Sequence, residues 1–327
     1  MNEIKVSIII PIYNVERYIE RCARSLYEQT YPHIEYVWVN DATPDRSIDI
    51  LRKVGKDYPN RKSQVHILSH THNKGLPSAR HTGLQVSTGD YVFHSDSDDW
   101  VEHSMIDELV TNVKSKNADI VWCDFYKSYS THSVHVKQNF LQTHDECIRN
   151  LLCENMHGGY WNKLIRRSLY DENIITYSQG ANMCEDLRGS IQLFYYARTV
   201  CYYPKAFYHY VQDNGGSLSA NISSERHASA FVNIKCILTF LREKRMIDQF
   251  ENEIPFLKLL SKRPYLISTD IEMLKKWKNT YPESNHYILS YKSLPFSLRF
   301  LGWFISKDYW FVVSFLIGMK RLKRMIT

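Results

Sequence analysis

Along the first 125 residues, short unbroken apolar runs alternate with stretches of helical spacing. Val6 to Ile10 is almost wholly apolar, as a strand covered on both faces of its sheet must be. Val15, Ile19, Cys22, Ala23 and Leu26 then recur at helical spacing, which predicts a helix over Val15 to Gln29. Ile34 to Val39 reads as the next strand and Ser47 to Lys56 as the next helix. Val65 to Leu68, Pro77 to Val86, Tyr91 to Phe93, Ser104 to Lys116 and Ile120 to Trp122 continue the alternation. Strand alternating with helix predicts a mainly parallel sheet with right-handed crossovers. Ligands of such sheets bind beyond the carboxyl ends of the strands.

Those strand ends carry the candidate chemistry. The first ends in Pro11-Ile12-Tyr13-Asn14 and the second in Asn40-Asp41-Ala42-Thr43-Pro44-Asp45. The third leads into His72-Asn73-Lys74-Gly75, with Arg80 in the following helix. The fourth ends in Asp96-Ser97-Asp98-Asp99. Three carboxylates in four residues repel one another, and a hard divalent cation relieves the repulsion. Magnesium or manganese takes one or two carboxylates and completes its shell with water and phosphate oxygens. The plainer alternative is a solvated turn, with Asp99 capping a helix ahead of Glu102. Singly, Tyr13 also reads as core, Asp41 as a cap and Arg80 as half of a surface ion pair. No glycine fingerprint of the dinucleotide type follows the first strand, and no GxxxxGK[ST] loop is present.

Length and composition set the frame. The 327 residues suffice for one large domain or two ordinary ones, and 44% hydrophobic residues support a packed core. Seven scattered cysteines without a CxxC pair argue against a disulfide framework or zinc site, and for a reducing compartment. No basic and apolar leader precedes the first strand, so the expected location is cytoplasmic. Residues 257–327 hold 13 Lys and Arg against 4 Asp and Glu, whereas residues 1–256 hold 28 against 31. A basic end beside a near-neutral body points to an anionic surface, either membrane or nucleic acid.

Taken together, these motifs resemble family 2 glycosyltransferases. The resemblance is carried by Val6-Ser7-Ile8-Ile9-Ile10-Pro11-Ile12-Tyr13-Asn14, the Val39 to Asp45 loop, Asn73-Lys74-Gly75 with Ala79-Arg80 and Gly83-Leu84, and the acidic cluster. It covers residues 4–125. Trp161-Asn162-Lys163-Leu164, Arg166-Arg167-Ser168-Leu169 and Glu185-Asp186-Leu187 are similar to acceptor-side motifs of the bacterial members. Tyr208-His209-Tyr210 with Ser217-Leu218-Ser219 resembles the stretch that closes that domain. The family's second-strand loop usually reads Asp-Asp-Gly-Ser, and here it reads Asn40-Asp41-Ala42-Thr43.

The resemblance implies a GT-A fold of the α/β class over residues 1–220, a mostly parallel sheet with flanking helices; beyond it, the spacing of the residues themselves reads as a helical C-terminal region over 221–327. It implies inverting transfer from a nucleotide-diphosphate sugar, a UDP-sugar, to an acceptor hydroxyl, with Mn2+ or Mg2+ as cofactor. Pro11, Tyr13, Asn14, Asp41, Arg80 and Asp96 become nucleotide-binding candidates: Tyr13 for the base, Asp41 for a pyrimidine N–H, Asp96 for the ribose hydroxyls. Arg80 would pair with a phosphate or position Asp96. Asp98 becomes the metal ligand, with Asp99 beside it, and Lys74 a further rim candidate. Asp186 becomes the base that takes the acceptor proton, with Glu185 as alternative. His209 is a candidate phosphate or metal contact.

Beyond residue 221 the spacing predicts helices over His227 to Lys244, Glu251 to Lys262 and Ile271 to Asn279. From Pro295 to Met325 aromatic residues crowd together, and Lys320, Arg321, Lys323 and Arg324 follow. The uncharged run Tyr309 to Met319 is 11 residues, short of the roughly 20 that span a bilayer. Aromatics at one end and basic residues at the other suit an interfacial helix on anionic lipid. A helix packed on the body, or a homodimer seam, is the alternative. Nucleic acid fits less well, because the basic residues adjoin an apolar stretch. The expectation is therefore a peripheral enzyme on the inner face of the cell membrane. It would build surface polysaccharide or lipid-linked glycan. A nucleotidyltransferase would need a glycine-rich, lysine-containing first loop, and a non-catalytic nucleotide-sugar binder would tolerate loss of Asp98 or Asp186; both acids are present.

Overall fold

The computed structural model describes residues 3–173, 175, 181–214 and 224–326, and of 224–227 and 319–326 the backbone alone. The motif Ser217-Leu218-Ser219 lies outside the described residues. The chain divides into two units, the first of Met1–Ile148 with His157–Asn221, the second of Arg149–Met156 with Ile222–Thr327.

In chain order the first unit runs β1 (Val6–Ile12), α1 (Ile19–Tyr27), β2 (Ile34–Asn40), α2 (Ser47–Gly55), β3 (Val65–Ser69), α3 (Leu76–Val86), β4 (Tyr91–His94), β5 (Trp100–Val101), α4 (Met105–Lys116), β6 (Ile120–Ser128) and β7 (Ser133–Val136). Helix α5 (His144–Leu152) crosses the boundary, and β8 (Lys163–Arg166), α6 (Ser168–Asp171), α7 (Glu185–Tyr196) and β9 (Val200–Val211) complete the set. The strands lie in the order β3-β2-β1-β4-β8-β6-β9-β5, with β7 alongside β6.

Every residue of β1 is buried, as is all of β2 except Asn40, because helices cover both faces. A fully buried isoleucine contributes roughly 1.5–3 kcal/mol, so β1 alone anchors this half firmly. Helix α1 begins four residues later than its apolar spacing predicts. Asn14 holds φ at +56°, and the chain turns before Ile19. The parallel arrangement expected from the alternation holds for β3-β2-β1-β4. Beyond β4 the sheet is mixed: β8 runs antiparallel between β4 and β6, β9 is parallel to β6, and β5 is antiparallel to β9. Strand β8 has four residues, too few for an apolar run to declare it. The pairing of β6 with β9 is interrupted by register shifts around Asp124.

The second unit is helical, with α8 (Ser224–Glu243), α9 (Ile254–Ile267), α10 (Ile271–Asn279), α11 (Phe296–Ser306) and α12 (Trp310–Ile326). Leu259, Leu266, Leu274, Trp277, Ile288, Ile305, Val313 and Ile317 form its core. Buried Lys262 donates from Nζ to the carbonyl oxygens of Thr280 (2.8 Å) and Tyr281 (3.1 Å), just past the end of α10, and lies 4.5 Å from the Trp277 ring centre. A cation there meets the negative end of the helix, while burial pushes its pKa down to about 7. The C-terminal aromatic stretch forms two helices, broken where Asp308 adopts φ +62°. Among the described residues no helix is long and apolar enough to cross a membrane.

Candidate active site

The parallel strands β1, β2, β3 and β4 deliver their carboxyl ends to one rim. Pro11 stands one residue before the end of β1. It is buried within β1 opposite Val39, and β4 stops at His94 opposite Ile9, so its missing N–H forfeits no ladder bond. Its buried ring shapes the strand end that carries Tyr13 to the rim. Tyr13 follows and stands 47% exposed. The N–H of Asn14 donates to Thr43 Oγ1 (2.8 Å), Thr43 Oγ1 donates to Asp45 Oδ1 (2.7 Å), and the Glu16 N–H donates to Asp45 Oδ2 (2.8 Å). These bonds fasten the loop after β2 to the loop after β1.

Asp41 is buried at the end of β2. Its Oδ1 accepts from the Lys74 N–H (2.8 Å) and pairs with His70 Nδ1 (2.6 Å), and its Oδ2 accepts from the Gly75 N–H (2.8 Å). The carboxylate therefore holds the loop between β3 and α3 in place. One acceptor position on Oδ2 remains. Gly75 sits at φ +87°, and a Cβ there would lie 2.8 Å from Asn182 Oδ1, so only glycine fits this corner. Lys74 is exposed on the same loop. His70 was not singled out by sequence reasoning, and its spacing from Asp41 gave no signal.

The acidic loop after β4 separates into three roles. Asp96 is partly exposed, and its Oδ1 accepts from Arg80 Nη2 at 2.8 Å. Asp98 is half-buried, and its Oδ2 accepts from Asn214 Nδ2 at 2.8 Å. Burial, with the charge of Asp96 added, pushes its carboxyl above the usual range. Asp99 is buried deeper, and burial first, then Asp98 and Asp96, push its carboxyl well up. It accepts from the Val211 N–H (2.7 Å) and the Tyr208 hydroxyl (2.8 Å), which fastens β9 to the loop. Asp99 leads into β5, and α4 begins only at Met105, so the helix-cap reading of Asp99 does not hold. A capping carboxylate faces helix N–H groups, and this one faces a strand.

Arg80 is buried and makes both of its ion pairs inside the protein, to Asp96 and, from Nη1, to Glu185 Oε1 at 3.1 Å. Its guanidinium lies 5.6 Å from the Tyr160 ring centre. Burial alone would lower its pKa, and Asp96, Glu185 and Asp186 together outweigh burial and raise it. Of the two expected roles, the bond to Asp96 fits the positioning one. Glu185 and Asp186 open α7 after Cys184, which adopts φ +62°. Glu185 is buried, and burial, then Asp186, push its carboxyl up against the opposing effect of Arg80. Asp186 is the more open of the pair, with Oδ1 accepting from the Leu187 N–H at 2.8 Å. A Cβ on Gly189 would stand 1.5 Å from the Tyr160 hydroxyl, so α7 can lie over Tyr160 only because that position is glycine.

In the Trp161-Asn162-Lys163 segment, Lys163 is buried and donates to the carbonyls of His157 (2.7 Å) and Gly159 (2.6 Å) and to Asn162 Oδ1 (2.9 Å). Burial lowers its pKa to about 7. The Trp161-Asn162-Lys163 motif carried this signal, though not the role. His209 is a correction. It stacks on Trp100 (centroids 3.4 Å apart) and Tyr126 (4.6 Å), with Nε2 bonded to Glu102 Oε1 (2.8 Å) and Nδ1 to Ser128 Oγ (2.9 Å). Both nitrogens are used in holding β9 to β5 and β6, so neither is open to phosphate or metal.

Among the described residues there is no group of three or more His, Cys, Asp and Glu able to hold a metal. The donor set instead fits an ion that takes one or two carboxylates and leaves its other positions to phosphate and water. Asp98, half-buried and raised by desolvation and then by Asp96, has the charge such an ion would balance.

The profile of glycosyl transferase family 2 matches residues 7–174. The chain is similar to the uncharacterised glycosyltransferase EpsJ of Bacillus subtilis, 35% identical over 221 residues, covering 65% of this chain and 62% of that protein. It is also similar to the cholesterol galactosyltransferase of Borreliella burgdorferi, 30% identical over 266 residues, covering 77% of this chain and 72% of that one. The chain thus spans under two thirds of EpsJ. In fold it is similar to S. aureus TarS 1-349 in complex with UDP-GlcNAc, with TM-score 0.67 at 18% identity over 95% of this chain and 90% of that one. A mannosyltransferase of Pyrobaculum calidifontis in complex with GDP-Man and Mn2+ gives TM-score 0.55 at 16% identity over 99% and 88%. The chain belongs to glycosyl transferase family 2.

Proposed function

We propose that this family 2 glycosyltransferase moves a sugar, with inversion, from a UDP-sugar to a hydroxyl of a glycan or lipid-linked acceptor in surface-polysaccharide synthesis. The observation that carries the reading is the Arg80 bridge. It ties Asp96 of the acidic loop to Glu185, and through it to Asp186, residues 16 and 105 positions away in sequence. The leaving group and the acceptor hydroxyl would then meet in one site. UDP as the nucleotide is supported by the TarS neighbours, whose structures hold UDP-GlcNAc or UDP.

Tyr13 offers an exposed ring for the base, beside Asn14. Asp41 shapes the loop that would border the base and keeps one acceptor position for a pyrimidine N–H. Asp96 faces the ribose hydroxyls, and Lys74 adds positive charge on the same rim. Manganese or magnesium, held by Asp98, supplies neutralising charge for the departing diphosphate. Asp186 accepts the proton of the acceptor hydroxyl as that oxygen bonds to the anomeric carbon and the bond to the diphosphate breaks. Glu185, held by Arg80, fixes the start of α7 on which Asp186 stands. The same reading places the enzyme peripherally on the inner face of the cell membrane, where a lipid-linked acceptor is met.

Asp186→Asn tests the assignment. Donor binding, measured calorimetrically with UDP and manganese, should stay at the wild-type value, while kcat falls about 10²–10⁴-fold, the usual contribution of a positioned base. Near-normal turnover would assign the base elsewhere.

A further inference from the structure

The second unit leaves an unusual set of aromatic side chains in solvent. Phe311 is 89% exposed, Phe296 65%, Phe315 64%, Tyr309 51% and Phe300 40%. They fall into two runs. On α11 the rings follow one another, with Phe296 and Phe300 centroids 5.0 Å apart and Phe300 and Phe304 5.6 Å apart, and Tyr309 lies 6.2 Å beyond Phe304. On α12, Phe311 and Phe315 stand four residues apart, and so on one face, while Val313 and Ile317 of the same turns are buried in the core. The helix is thus seated by one face and presents bare phenylalanine on another. Single exposed apolar residues need no explanation, but a concentrated group of this kind marks a surface that meets something apolar.

Charge decides between occupants. After Asp308 the chain holds four basic residues and no acidic one, and all four, Lys320, Arg321, Lys323 and Arg324, fall in the last turns of α12. A second copy docked through α12 offers no acidic residue after Asp308 to balance these four. An anionic bilayer meets both features at once, aromatic rings at the level of the headgroups and basic residues in the negative surface potential. We infer that α11 and α12 form an interfacial docking surface for anionic phospholipid, with Phe311 and Phe315 entering the headgroup region and the basic end of α12 held above it. This deepens, and rests on, the proposed peripheral location.

The test uses the full chain in flotation with vesicles of equal parts phosphatidylglycerol and phosphatidylcholine, and with pure phosphatidylcholine. Wild type should float with the anionic vesicles, bind the neutral ones at least about tenfold more weakly, and be released by high salt. The double variant Phe311→Ser, Phe315→Ser should weaken anionic binding by about tenfold or more, with an unchanged melting temperature. Replacing Lys320, Arg321, Lys323 and Arg324 by Gln should remove the preference for anionic lipid. Wild type that ignores anionic vesicles, or a double variant that binds like wild type, overturns the inference. So does a wild-type dimer that the double variant converts to monomer without any vesicle binding. Nucleoside-diphosphate release on the same preparations keeps the two proposals apart. Release without vesicle binding counts against this surface alone, and vesicle binding without release counts against the transferase reading alone.

Discussion

Arg80→Met removes the one group that joins the two carboxylate clusters. The guanidinium is buried, 2.8 Å from Asp96 and 3.1 Å from Glu185, and of these partners Glu185 is the more buried. Breaking a buried ion pair from one side costs about 3–5 kcal/mol, because a charge is left without a partner. Protonation limits that cost. The Glu185 carboxyl is already raised by burial and by Asp186, and loss of Arg80, which lowers it, raises it further. A folded pKa above the unfolded one means that the folded state keeps a proton the unfolded state has released. The variant is therefore most stable below the ordinary carboxylate range and loses stability as pH climbs toward the raised value. The wild-type carboxyl is itself pushed up to about 7, so the deficit should be small near about pH 5 and reach about 1.4 kcal/mol near about pH 8, at about 1.4 kcal/mol per pH unit. At about 2–4 °C per kcal/mol for a unit of this size, the melting temperature at the higher pH should fall by about 3–6 °C. Scanning calorimetry of both proteins across this range reads the difference, with Arg80→Lys as a partial rescue that keeps the charge without the fork. A deficit that does not change with pH, or no deficit at the higher pH, would refute the reasoning.

Asp41→Ala should raise the Kd for UDP by about tenfold with a smaller effect on kcat, since it frees the loop over residues 70–75 and strands the buried N–H groups of Lys74 and Gly75; an unaltered Kd in calorimetric titration would count against the base-side assignment. His209→Phe should keep the stack on Trp100 and Tyr126 but lose two hydrogen bonds, lowering stability by about 1–2 kcal/mol while activity and manganese dependence persist; loss of metal dependence would reinstate His209 at the site. His94 is buried and His157 half-buried, and desolvation first of all holds both pKa values down to about 3. Their folded values lie below the unfolded one, so the stability they support is complete above about pH 6.5 and lost as pH falls. From there to about pH 5, melts should show roughly 2 kcal/mol lost per histidine, a loss that His94→Gln reduces.

The half of the site that sits on parallel strands was legible because buried parallel strands read as unbroken apolar runs, and polar residues at their ends stand out. Tyr13, Asp41, Asp96 and Asp98 were found that way, and the structure places each at or beside the rim. What was not legible depends on pairing between distant segments. Nothing local to Asp99 says that β9 will supply its hydrogen-bond donors, so it read as a helix cap. His209 read as an available imidazole because its partners Trp100, Glu102 and Ser128 come from two other strand regions. Arg80 and Glu185 lie 105 residues apart.

The central claim is sugar transfer from a nucleotide donor with the help of a metal at Asp98. Its most direct measurement is nucleoside-diphosphate release across a panel of UDP-, GDP- and TDP-sugars, with manganese and with excess chelator, for wild type and Asp98→Ala. The account predicts release from a UDP-sugar by wild type with manganese, none with chelator, and none from a folded Asp98→Ala protein. Release that survives both chelation and the substitution would contradict the metal assignment, and a panel from which wild type releases nothing would contradict the donor reading itself.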